Sequence, residues 1–298
     1  MSSILVSKQV PRISSLDVSS SEDNGKLIEL WLHDKSDTTR EAYQRDIACF
    51  LTFVENKPLN LVTLEDLHSF HATLEEKGLS YSSQRRRLMA VKSLLRYGLK
   101  IGATAIDAGQ AFKLKKQPAT LAARILSESE TLRMIHGFKG SVRDRLILKT
   151  LYATAARATE LCSLKWISAV ERADGKATIT ITGKGSKTRY VTVSAELWSE
   201  LKAYRGTAHH SDPIFPSRSG KHLTRMQINR VVSAAKEQAG IDKNVSPHWL
   251  RHAHASHSLQ KGAPVKLVKD TLGHASLDTT DQYLHVSPDD SSGLYLAL

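Results

Sequence analysis

The chain has 298 residues, 41% hydrophobic and only 6% aromatic, enough length for one large domain or two medium ones. Its 42 Lys and Arg outnumber 30 Asp and Glu, and the net charge of +12 points to a polyanionic partner, above all nucleic acid. Two distant cysteines, Cys49 and Cys162, exclude a disulfide framework, and no apolar run reaches the ~18 residues of a membrane helix, so a cytoplasmic setting without a membrane partner is expected.

Residues 1–23 are polar and serine-rich and read as a flexible leader. Four helical patterns fill residues 24–112. The first carries Leu27, Ile28, Leu30, Trp31 and Leu32 and ends near Lys35. The second opens at Asp37-Thr38-Thr39 as its N-cap and places Tyr43, Ile47, Phe50, Leu51 and Val54 at helical spacing. The third begins with the capping box Thr63-Leu64-Glu65-Asp66 and runs to Gly78. The fourth spans Ser80 to about Leu99, with Leu88, Val91, Leu94 and Leu95 interleaved with Arg85, Arg86, Arg87, Lys92 and Arg96. Those five cations are candidate DNA contacts, although they cannot all share one helix face. Residues 113–123, basic and broken by Pro118, read as an interdomain linker.

Residues 124–298 form the second predicted domain. Ser127-Glu128-Ser129-Glu130 is another capping box, with helices from there to about Tyr152 and then from Ala158 to Lys165. Ala177–Thr182 and Arg189–Val193 alternate with period two around Gly183-Lys184-Gly185-Ser186-Lys187, a hairpin pattern. Helical spacing returns from Ala195, including Thr224–Ala239. Ser246 and Pro247 then start a helix to Gly262, followed by Pro264–Leu272 and Ser276–His285.

The chemistry-bearing residues lie in this second part. Arginine suits phosphate because its planar fork keeps its charge and offers parallel donors. Arg157 stands at a helix start, with Glu160 spaced to hold that start or to orient the guanidinium. His248 and Arg251 share a helix face and can hold two oxygens of one phosphate. His274, just after Gly273 and before a helix, is a further oxyanion partner. Lys184, flanked by glycines at a hairpin tip, can reach a leaving oxygen as general acid, with Lys187 and Arg189 as neighbouring contacts to the DNA backbone. Tyr283 offers a phenol that surrounding cations would activate. His248, His252, His254 and His257 also suggest a zinc site, but no nearby cysteine or carboxylate cluster completes it, so no metal is assigned.

The order Arg157, Lys184, His248-x-x-Arg251, His274, Tyr283 resembles the tyrosine recombinase (phage integrase) family over nearly the whole chain, and its Xer-type members most. The resemblance implies a mainly α fold with a small β-sheet. It consists of an N-terminal four-helix, SAM-like core-binding domain and an α+β catalytic domain. It further implies that Arg157, His248, Arg251 and His274 bind the scissile phosphate of double-stranded DNA, that Lys184 protonates the departing 5′ oxygen, and that Tyr283 forms a 3′-phosphotyrosyl link. Neither metal, ATP nor any other cofactor is implied. Recombination requires four strand transfers, so a homo-tetramer on two synapsed sites is expected, with a possible accessory activator protein. The apolar end Leu294–Leu298 is expected to pack on a neighbouring subunit. A type IB topoisomerase and a non-catalytic DNA-binding regulator are the alternatives on the same fold. One departure is visible: the family commonly carries Thr-Gly where this chain has Thr154-Ala155, and alanine resists positive φ, so the turn before Arg157 is expected to differ.

Overall fold

A computed structural model describes residues 21–114 and 125–273. The chain divides into two units, residues 1–118 and 119–298. In the first, α1 (Ser21–Leu32), α2 (Asp37–Phe53), α3 (Leu64–Glu76) and α4 (Tyr81–Lys100) bury the apolar positions expected from their spacing. Leu88, Val91, Leu94 and Leu95 line the buried face of α4 against Leu27, Ile47, Phe50, Leu67, Phe70 and Leu74. Phe50 meets Phe70 edge-on at 5.1 Å between ring centroids, and the Trp31 ring stacks on Tyr43 at 5.0 Å. Trp31 also donates its indole N–H to Ser93 Oγ at 3.2 Å, so burying the ring leaves no unpaired donor. Each such side chain contributes roughly 1.5–3 kcal/mol by leaving water.

Local boundaries differ from the sequence reading in two places. Helix α1 begins at Ser21, inside the segment expected to be leader, and stops at Leu32, before Lys35. The N-cap of α2 is Ser36, and Asp37 instead falls in the first turn, where its charge complements the helix dipole. The Thr63 capping box forms as expected, with the Asp66 backbone N–H donating to Thr63 Oγ1 at 3.2 Å.

Several α4 cations are committed within this unit. Asp46 is only 2% exposed, and burial pushes its carboxyl above the ordinary range while Arg86 and Arg87 oppose that push. Arg86 donates to it directly. Arg87 donates to Cys49 Sγ at 3.1 Å, and Lys92 to the Phe112 carbonyl at 2.5 Å. These three side chains thus tie α4 to its own surroundings, and Arg86 keeps about half of its side chain in solvent. Arg85 is exposed, and Arg96 lies 4.0 Å from Asp107 with most of its side chain in solvent.

In the second unit, α5 (Glu128–His136), α6 (Val142–Thr154) and α7 (Ala158–Ser163) precede a three-stranded antiparallel sheet in the order β1 (Ala169–Glu171), β2 (Ala177–Thr182), β3 (Thr188–Val193). The unpredicted β1 has three residues, too few to alternate legibly. The sheet buries Ala177, Ile179, Ile181, Val191 and Val193 on one face. Helices α8 (Ala195–Arg205), α9 (Arg225–Gln238), α10 (Pro247–Gln260) and α11 (Val265–Leu272) follow. Helix α6 carries buried Leu146, Ile147, Leu148 and Leu151 and packs against α5, α8, α9, α10 and β3, so it is the central strut. The predicted helix Ser276–His285 lies outside the described residues, as does most of the predicted linker. Among the described residues no helix is long and apolar enough to cross a membrane.

Removing one partner of a buried ion pair is costly because the other charge stays buried, typically about 3–5 kcal/mol. Arg86 is half exposed and Arg87 stands nearby, so Arg86→Ala is expected to destabilise the protein by about 2 kcal/mol, against less than about 0.5 kcal/mol for Arg85→Ala. Urea unfolding of both variants measures the difference.

Candidate active site

The turn between α6 and α7 sets the first arginine. Helix α6 ends at Ala155 in the left-handed conformation, φ 50° and ψ 27°. The expectation that alanine would avoid this conformation is corrected. The Ala155 methyl is fully buried against Ala255, Val268 and Leu272, and that burial offsets the strain. The Thr154 hydroxyl helps by accepting from the Ala156 N–H at 3.3 Å. Arg157 follows in extended conformation and caps α7. Glu160 then plays both roles foreseen for it, accepting from the Arg157 backbone N–H and from Arg157 Nη1, each at 2.8 Å.

Glu160 is 4% exposed and takes a second guanidinium, that of Arg189 on β3, at 3.1 Å from Nη1 and 2.7 Å from Nη2. Burial pushes the Glu160 carboxyl upward, but the bonds from Arg189 and Arg157 outweigh it and bring the pKa down to about 2. Arg189 Nε also donates to the Thr271 carbonyl at 2.7 Å. Every guanidinium nitrogen of Arg189 is engaged within the protein, and only 10% of its side chain is exposed. Lys187, by contrast, is exposed.

Lys184 lies in the β2–β3 turn, where Gly185 adopts φ 72° and the Gly183 N–H donates to the Lys187 carbonyl at 2.8 Å. Gly183 makes a close approach: a Cβ there would sit 3.0 Å from Glu160 Oε1, a tight contact. The hairpin therefore abuts the Glu160 carboxylate.

Arg251 is 1% exposed and donates to the carbonyls of Ala155, at 2.6 Å, and Leu272. These are chain ends of α6 and α11, where carbonyls lack helical partners. One turn earlier, His248 lies at the start of α10, exposed to an open cavity of about 320 Å³ that it shares with Arg157, Thr159, Arg225, Asn229 and Ser246. Desolvation, then the Arg251 and Arg157 charges, hold the His248 pKa below its ordinary value, which favours the neutral ring. The structure thus brings Arg157, His248 and Arg251 together, with the Lys184 hairpin beside Glu160. His274 and Tyr283 lie outside the described residues.

Two of the four histidines on α10 have other partners. His254 Nδ1 meets the Tyr152 carbonyl at 2.7 Å, and His257 is held between the Tyr152 hydroxyl and the Leu126 carbonyl, both at 2.9 Å. Among the described residues no group of three His, Cys, Asp or Glu side chains is arranged for a cation.

Sequence reading missed Arg225 and Asn229. Their signal was present: Thr224 and Gln227 form a capping box, which fixes the start of α9 and puts positions 225 and 229 on one face. The other side of α9 borders a second open cavity of about 760 Å³, lined by Arg143, Arg218, Lys221, His222 and Arg230 among others.

Two outcomes follow from this geometry. Ala155→Gly relieves strain but loses a buried methyl, so stability should change by less than about 1 kcal/mol, whereas Ala155→Val, strained and overpacked, should lose more than about 3 kcal/mol in urea titrations. Glu160 has its folded pKa near 2, below the ordinary 4.5, so its contribution is complete above about pH 4.5 and fades as pH falls toward 2. The stability gap between wild type and Glu160→Gln should accordingly be widest near pH 7 and clearly smaller near pH 3, as read by urea midpoints at about those pH values.

Comparison with known proteins agrees with this architecture. The model of the phage integrase family matches residues 122–289, and that of the phage integrase N-terminal SAM-like domain matches residues 27–100. Tyrosine recombinase XerD of Bifidobacterium longum is 31% identical over 280 residues, covering 87% of this chain and 90% of that protein. Tyrosine recombinase XerC of Pelobacter propionicus is 33% identical over 266 residues, covering 84% and 85%. The crystal structure of XerH site-specific recombinase bound to palindromic difH substrate, a post-cleavage complex, superposes with a TM-score of 0.70 at 25% identity, covering 90% of this chain and 82% of that one. A lambda integrase dimer bound to a COC′ core site shares the fold, with a TM-score of 0.75 at 17% identity over 91% and 97% of the two chains. The chain belongs to the phage integrase family and is a tyrosine recombinase, an enzyme that cleaves and rejoins DNA strands in site-specific recombination.

Proposed function

We propose that the cavity lined by Arg157 and His248 receives the scissile phosphate of double-stranded DNA. The observation that carries this reading is the convergence of the Arg157 guanidinium and the His248 imidazole on one open cavity, with Arg251 buried one turn behind. A phosphodiester entering there meets preorganised positive charge, which favours the pentacoordinate state more than the ground state. Neutral His248 can bond a non-bridging oxygen without adding charge.

In this mechanism Tyr283 releases its phenolic proton to solvent as the surrounding cations stabilise the phenolate, and the phenolic oxygen attacks phosphorus. A bond forms between that oxygen and the 3′ phosphate, the P–O5′ bond breaks, and Lys184 gives its proton to the departing 5′ oxygen. His274 adds a further hydrogen bond to the phosphate. The ester is exchanged rather than hydrolysed, so ATP has no part in the energetics. A homo-tetramer on two DNA sites completes the four strand transfers. Arg225 and Asn229 of α9, beside the cavity, face the DNA, and Arg85, Arg96 and Lys187 contact its backbone.

The decisive variant is Tyr283→Phe. On a nicked suicide substrate wild type should trap a protein–DNA adduct that survives denaturation, while the variant binds with unchanged affinity and traps none. An adduct formed by Tyr283→Phe would show that another residue is the nucleophile. Exchange between two differently labelled duplexes then separates recombination from simple relaxation.

A further inference from the structure

We propose that Arg189 is a positioning residue for strand cleavage: it balances the Glu160 charge so that Arg157 stays available to phosphate, and it ties the Lys184 hairpin to the end of α11. The inference rests on the reading of Arg157 as a phosphate ligand. Its starting point is how Glu160 is shared. Oε1 accepts from Arg157 Nη1 and Arg189 Nη1, while Oε2 accepts from the Arg157 backbone N–H and Arg189 Nη2. Those four bonds fill the capacity of a carboxylate. One negative charge thus stands between two positive ones, leaving a net +1.

That remaining charge appears on the Arg157 side. Arg157 is 43% exposed and lines the cavity, whereas Arg189 is 10% exposed and does not line it. Without Arg189, the buried carboxylate would face Arg157 alone, neutralise it and draw it inward. The positive potential that awaits the phosphate would then be lost although no group touching the phosphate had changed.

The same side chain has a mechanical part. Arg189 pairs with Ile181 across the hairpin, two residues before Gly183. Its Nε holds the Thr271 carbonyl, and its Cδ lies 3.3 Å from where a Cβ on Gly273 would stand. Gly273 takes φ 65°, and the packed stem leaves little room beside it. Arg189 therefore joins the Arg157 turn, the hairpin of Lys184 and the residue immediately preceding His274.

The test uses the full-length protein on the suicide substrate, with melting curves and DNA affinity measured in parallel. Arg189→Met is expected to bind DNA within about threefold of wild type but to cleave more than about tenfold slower at saturating DNA. Arg189→Lys keeps the charge and loses the fork, so its rate should fall between the two. The revealing measurement is the double variant Arg189→Met with Glu160→Gln. Removing the unbalanced carboxylate should make it cleave faster than Arg189→Met alone, an effect that loss of packing cannot produce. Arg189→Met or Arg189→Lys cleaving at the wild-type rate overturns the proposal, as does a double variant no faster than Arg189→Met. Should Arg189→Met fail to melt cooperatively, the comparison of Arg189→Lys with wild type decides. Arg157→Ala serves as control: if it still forms the adduct at the wild-type rate, the phosphate-site reading fails instead.

Discussion

A single buried carboxylate organises the catalytic unit. Glu160 cannot be hydrated at 4% exposure, so its charge demands donors, and the fold supplies them from two directions. One set comes from its own helix start, through the backbone and side chain of Arg157. The other comes from β3, 29 residues away in sequence, through Arg189. Because both guanidiniums must meet the same two oxygens, the helix start and the hairpin have little freedom to drift apart. The absence of a side chain at Gly183 lets the hairpin approach that carboxylate.

Arg251 solves the converse problem. It is a fully buried cation with carbonyl acceptors at Ala155 and Leu272. Carbonyls at helix ends carry the negative pole of the helix and lack partners of their own, so a cation there satisfies the backbone and itself at once. The left-handed turn at Ala155 aims one of these carbonyls and also leads into Arg157. The two arginines are thus set by opposite poles of one turn: its carbonyl fixes Arg251, and the chain leaving it fixes Arg157. Their spacing depends on backbone geometry more than on flexible side chains.

The helices of both units were legible because their signals are local. Capping boxes at Thr63 and Ser127 and apolar spacing at positions 88, 91, 94 and 95 need only neighbours within a turn or two. What escaped depends on distant partners. Arg86 finds Asp46 across 40 residues and Arg189 finds Thr271 across 82, so their sequence surroundings could not show these internal partners. Strand β1 was too short to show a period. Ala155 looked unsuited to its turn because strain can be read from residue type, whereas the compensating contacts with Val268 and Leu272 cannot. Of the candidate site, the motifs at 157, 248 and 251 were legible as an ordered set, whereas the capping box before Arg225 and Asn229 fixes their helix face but not the cavity which that face borders.

These pairings also change what the net charge of +12 means. A cation locked to a buried carboxylate contributes little field outside the protein, because the pair's potential falls off as that of a dipole. Arg189 with Glu160 belongs to this inward group. The long-range attraction for a polyanion must come from cations on open surfaces, such as Arg85, Lys187 and the Arg218, Lys221 and Arg230 that border the larger cavity beside α9. Charge count alone therefore cannot rank basic residues by their effect on DNA affinity. Inward cations set where the catalytic groups stand, and outward cations set how strongly a polyanion is drawn toward them.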